Sequence, residues 1–110
     1  MVFLVSGGNA VEKIRRYFKG MEVVDALDFY NNESFLESAR RLLNHVRGRK
    51  CVVYFPRDLV RYVPNSIEFV FEFVDKAPPD IPLVFHIDLY DLLDPHVLSR
   101  LVPSTFIGGD

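Results

Sequence analysis

A chain of 110 residues, 49% hydrophobic and 25% charged, has material for one core, so the expectation is a single α/β domain over 1–110 and no second one. That much core-forming material excludes a disordered chain, and the longest uncharged stretches fall short of the roughly 20 residues that span a bilayer, so no membrane partner is expected. The net charge of -2 excludes a uniformly basic nucleic-acid coat, yet residues 1–61 hold 11 Lys/Arg against 7 Asp/Glu and residues 62–110 hold 2 against 8, a polarity that either orients the protein toward a charged partner or lies on solvated faces.

Short apolar runs alternate with amphipathic stretches. Val2 to Val5 reads as a buried strand ended by Ser6-Gly7-Gly8, and Asn9 with Glu12 is a capping-box start for a helix running to Lys19. Val11, Ile14 and Phe18 form its apolar stripe, and Gly20 stops it. Met21 to Leu27 is a second strand, and Glu22 and Asp25 give it the polarity of a sheet edge. Ser34 and Glu37 cap a second helix, with Phe35, Leu36, Ala39, Leu42, Leu43 and Val46 on one face, and Gly48 ends it.

Cys51 to Phe55 is uniformly apolar, as a strand covered on both faces must be, and Pro56 terminates it. Leu59 to Val63 is a short helical turn before Pro64. The stretch 66–76 carries two patterns: Asn65 and Glu68 can cap a helix, while Ile67, Phe69, Phe71 and Phe73 alternate as in a strand. Helix is preferred, because it keeps the βα rhythm. Leu83 to Ile87 is the next buried strand. Residues 88–101 are helical, with Pro95 tolerated only at a new first turn, and Thr105 to Ile107 is the last strand. The sum is a three-layer α/β sandwich with a five-stranded, mostly parallel sheet.

Ligands of such sheets bind beyond the carboxyl ends of the strands, which makes Ser6, Gly7, Gly8 and Asn9, at the start of a helix, the first candidate for an anion or nucleotide. Gly7 to Ile14 sets glycine and lysine at the spacing of the phosphate loop G-x-x-x-x-G-K-[ST], adding Lys13 to that set. Two requirements fail. Glu12 stands where the second glycine belongs, and Ile14 offers no hydroxyl to magnesium. The bland alternative is a tight turn with a capping glutamate and a solvated lysine. Tyr54-Phe55-Pro56-Arg57 likewise occupies the place of the magnesium-binding carboxylate at the end of the third strand, so ATP hydrolysis is not expected.

Taken together, these positions, the stretch from Phe69 to Phe85 (FVFEFVDKAPPDIPLVF) and the stretch from Asp88 to Leu101 (DLYDLLDPHVLSRL) resemble a degenerate AAA+/P-loop ATPase core, the clamp-loader family of the DNA polymerase III delta subunit above all. The resemblance spans nearly the whole chain in order of elements. It implies the strand order 5-1-4-3-2, a non-catalytic interaction module with no cofactor, a protein partner in a replication or other DNA-handling assembly, and an arginine-finger-like place for Arg100 in Ser99-Arg100. A helix-terminal arginine favoured by the dipole is the simpler reading of Arg100.

Other constellations compete. Arg40, Arg41, Arg47, Arg49 and Lys50, with Arg15, Arg16 and Lys19 on the same side of the sheet, would make a nucleic-acid-facing surface, against solvated helix faces as the alternative. Asp25, Asp28, Asp88 and Asp91 near strand ends would gather a divalent cation in an enzyme reading, although Asp91 and Asp94 also suit helix starts. His45, His86 and His96 lack metal-ligand spacing, so no metal site is expected there, and Ser6 has no neighbouring base for acyl transfer. A nucleotide- or metal-dependent enzyme led by Gly7, Gly8 and Lys13, and a flavodoxin-like regulatory domain, are the alternatives to the non-catalytic module. A single cysteine, Cys51, excludes an internal disulfide. Met1 leads directly into the first strand with no leader, which points to the cytoplasm, and the lack of Gln and Trp with Arg in excess over Lys suits a thermophile.

Overall fold

In a computed structural model, which describes residues 1–108, the chain is an α/β sandwich around one all-parallel sheet. The strands are β1 (Val2–Val5), β2 (Glu22–Asp25), β3 (Cys51–Phe55), β4 (Leu83–His86) and β5 (Pro103–Ile107), in spatial order β2-β3-β4-β1-β5. Read from the other edge, this is the expected 5-1-4-3-2. Because β1 lies between β4 and β5 rather than between β2 and β3, the flavodoxin-like alternative is excluded.

The helices are α1 (Ala10–Tyr17), α2 (Phe35–Val46), α3 (Asn65–Lys76), α4 (Ile87–Tyr90) and α5 (Pro95–Leu98). They divide unevenly. Ala10 and Ile14 of α1 pack with Phe3, Val5, Val52 and Val84 on one sheet face. The other face, presented by Leu4, Val53, Phe55 and Phe85, takes α2 through Leu42 and Val46, α3 through Phe69 and Phe73, and the two short helices through Leu89 and Val97. Phe55 and Phe85, neighbours across β3 and β4, stack at 4.5 Å with planes 11° apart. All of β3 is buried, since it has a strand on each side and helices above and below.

Residues 66–76 are helical, as the βα rhythm demanded. With 3.6 residues per turn, Ser66, Phe69, Val70 and Phe73 face inward, while Phe71 is only half-buried. The expected caps differ from those found. Asn65 is the first helical residue, and its side-chain amide donates to the Asn32 carbonyl at 3.1 Å instead of capping. Asn9 makes no capping hydrogen bond either, whereas Ser34 accepts from the Glu37 amide at 3.2 Å as expected.

The second strand stops at Asp25, not Leu27, because the Asp25 carboxylate accepts from the Leu27 amide at 2.9 Å and draws the chain into a 3-10 turn, Ala26–Phe29. Arg57–Tyr62 is a second 3-10 turn. The helix expected over 88–101 is two pieces: Pro95 begins the second, and the Asp94 carboxylate caps it by accepting from the His96 and Val97 amides. Leu36, assigned by periodicity to the buried face of α2, is 56% exposed. Among the described residues no helix is long and apolar enough to cross a membrane.

Candidate functional site

The four residues Ser6 to Asn9 carry the chain from β1 to α1 at the carboxyl end of the sheet. Gly7 holds φ at +83°, a left-handed conformation that glycine adopts without penalty. Since Asn9 gives no side-chain cap and the first intrahelical bond runs from the Lys13 amide to the Asn9 carbonyl at 3.0 Å, the Ala10, Val11 and Glu12 amides have no intrahelical partner. All three residues line a cavity of about 330 Å³, with Gly7, Gly8 and Asn9.

The opposite wall comes from the ends of β3 and β4: Tyr54, Pro56, Arg57, Asp58 and His86. Tyr54 and His86 are each 5% exposed. The Nδ1 of His86 accepts from the Asp88 amide at 3.2 Å, with Asp88 Oδ2 3.8 Å away, which leaves the ring proton on Nε2. Neither that Nε2 nor the Tyr54 hydroxyl has a hydrogen-bond partner among the described residues. Burial, reinforced by the Asp25 and Asp58 carboxylates and opposed by Arg57, pushes the Tyr54 hydroxyl up to about 12, so it is a neutral donor at physiological pH. Glu12, Arg57 and Asp58 are exposed and form the rim.

Lys13 lies elsewhere. Its Nζ donates to the Ser6 carbonyl at 3.0 Å, and its side chain runs beside Gly108 after β5, in a smaller hollow shared with Arg16, Tyr17 and Ile107. The helix is already formed at Ala10, so residues that would still be turning around phosphates in a phosphate loop are α1's first turn. No family profile, no curated protein and no solved structure matches this chain.

Of the basic residues, Arg40 and Arg47 share a groove between α2 and α3 with Lys76. There Arg40 is paired with Glu37 and Lys76 with Glu72. Arg41 projects from another side of α2 and donates to the Phe29 carbonyl at 2.9 Å, while Arg49 lies 3.4 Å from Glu22. Arg15, Arg16 and Lys19 belong to or follow α1, on the opposite face of the sheet from α2, so the single basic side expected from sequence does not form. Lys50 is exposed at the amino end of β3. Arg100 pairs with Asp75 and sits 5.4 Å from the Phe71 ring centroid, engaged within its own chain.

Among the described residues no three His, Cys, Asp or Glu side chains are grouped to hold a metal ion, so Asp25, Asp28, Asp88 and Asp91 are not assembled into a cation site. The sequence pointed to the turn after the first strand but not to Tyr54, Arg57, Asp58 and His86 as its partners. Their signal was available: each stands at or just past the carboxyl end of the third or fourth strand, the end where open parallel sheets bind ligands.

Proposed function

We propose that this chain is a non-catalytic, AAA+-like interaction module that works in the cytoplasm through a protein partner, within a DNA replication or other DNA-handling assembly. The strand order β2-β3-β4-β1-β5 supports the architectural half of this reading. The lack of a triphosphate grip supports the non-catalytic half. One observation carries it: Lys13 Nζ, the cation a phosphate loop would aim at phosphate, is spent on the Ser6 carbonyl. Glu12 adds negative charge to the cavity where that loop needs glycine, and β3 runs into Pro56 and Arg57 where a magnesium carboxylate belongs. Thermophilic origin fits the same composition. Nucleic acid is the second partner in this reading, met at the groove of Arg40, Arg47 and Lys76, where it would compete with Glu37 and Glu72 for two of the three.

Titration of the full chain with a fluorescent ATP analogue and magnesium tests the reading. Absence of saturable, magnesium-dependent binding is the expected result. Saturable binding abolished by Lys13→Ala overturns it.

A further inference from the structure

The cavity between α1 and the ends of β3 and β4 presents one chemistry on its inner wall. The Ala10, Val11 and Glu12 amides have no intrahelical partner and lie at the positive end of the α1 dipole. Tyr54 and His86, both more than nine-tenths buried, add an O–H and an Nε2–H with no partner among the described residues. Polar side chains set this deeply are ordinarily satisfied, so two of them that reach the cavity without a protein partner, beside uncapped amides, mark a place where a ligand completes the hydrogen bonding. Every one of these groups is a donor. They come from three elements, α1, β3 and β4, a spread that suits a tetrahedral oxyanion better than a planar carboxylate.

The rim selects further. Arg57 supplies an exposed cation, and Glu12 and Asp58 supply exposed carboxylates. Those carboxylates can accept from hydroxyl groups, and their charge opposes phosphate, which leaves room for one phosphate held on the inner donors and none beyond it. A volume of about 330 Å³ is at the small end of ligand cavities, enough for a compact metabolite.

We propose that this cavity binds a hydroxyl-bearing phosphate monoester, its phosphate held by the α1 amides, Tyr54 and His86 and its hydroxyls by Glu12 and Asp58. The inference rests on the reading that this turn does not grip a triphosphate. It adds a small-molecule input to the module, placed away from Lys13.

The test is an amide-resolved NMR titration of the full chain, without magnesium, using inorganic phosphate and ribose 5-phosphate as probes. Expected are saturable shifts at Ala10, Val11 and Glu12 with both, and tighter binding of ribose 5-phosphate. Tyr54→Phe, which keeps the ring and its packing, weakens binding about tenfold or more, the scale of one hydrogen bond to a charged group. Lys13→Ala leaves the affinity within about twofold. If Tyr54→Phe does not fold, Arg57→Ala, on the exposed rim, serves instead and weakens binding at least about threefold. Shifts absent at those three amides, equal affinities for the two probes, or affinity unchanged in the variant overturn the inference. Such a failure leaves the non-catalytic reading intact, which only magnesium-dependent ATP binding lost with Lys13 removes.

Discussion

The Lys13 ammonium and the Ser6 carbonyl are joined by a 3.0 Å hydrogen bond that folds the first helix's lysine back onto the turn it follows. Gly7, next to Ser6 in the chain, lies beside this bond. A Cβ on Gly7 would stand 3.3 Å from Lys13 Nζ, and the backbone there is left-handed, with φ at +83°. Gly8, next in the chain, has no positive φ, and a Cβ on it would meet nothing within 4 Å.

Gly7→Ala therefore costs about 1–2 kcal/mol, the penalty of holding an L-residue in that conformation. Gly8→Ala is neutral or stabilising by up to about 1 kcal/mol through the unfolded chain. Urea denaturation of the two variants distinguishes them, and equal effects would contradict the conformation assigned to the turn.

In α3 the aromatic residues are not equivalent. Phe69 and Phe73 are fully buried, and Phe73 packs edge-on against Phe55 at 5.7 Å, while Phe71 lies half-buried beneath the Arg100 guanidinium. Phe69→Ala and Phe73→Ala should each lower stability by about 3–5 kcal/mol. Phe71→Ala should cost clearly less than either. A strand at this place would put all three on one face and make their costs alike.

The contrast explains what the sequence could reveal. Uniformly apolar runs such as Val2–Val5 and Cys51–Phe55 marked their strands to the residue, because a strand buried on both faces tolerates nothing polar. The α3 stretch carried both periods at once, and only the pattern of its neighbours favoured the helix. Endings were harder: Asp25 stops β2 through a side-chain hydrogen bond to Leu27, a local competition that hydropathy does not register. Half the candidate site was visible as Gly7, Gly8 and Asn9. The other half was hidden, because Tyr54 and His86 look like ordinary core residues until the strand order brings the ends of β3 and β4 beside the first turn.

Any affinity for DNA should depend only weakly on salt. Arg40, Arg47 and Lys76 share a groove in which Glu37 and Glu72 partly neutralise them, and α1's cations lie across the sheet. Three phosphate contacts give a slope of log affinity against log salt of about -3 or shallower. A slope near -7, expected of roughly eight converging cations, would contradict this arrangement of the charges.

Asp25 should make the fold less stable as the pH rises. Burial, aided by the carboxylates of Asp28 and Asp58, raises its pKa above the ordinary value of 3.8, while the Leu27 amide partly offsets this. A raised folded-state pKa means the protonated form favours folding. That contribution is complete below 3.8 and is lost as the pH climbs through the raised value. Asp25→Asn, which keeps an oxygen to accept from Leu27, should melt above the parent protein at pH 7 and with it at pH 3. Identical melting at both pH values would count against the burial of this carboxylate.

A first turn with no grip on a triphosphate should leave ATP untouched, which phosphate release from ATP with magnesium measures. Release by the full chain should be no faster than the buffer blank, and unchanged in Lys13→Ala. Magnesium-dependent release that disappears in Lys13→Ala would contradict it.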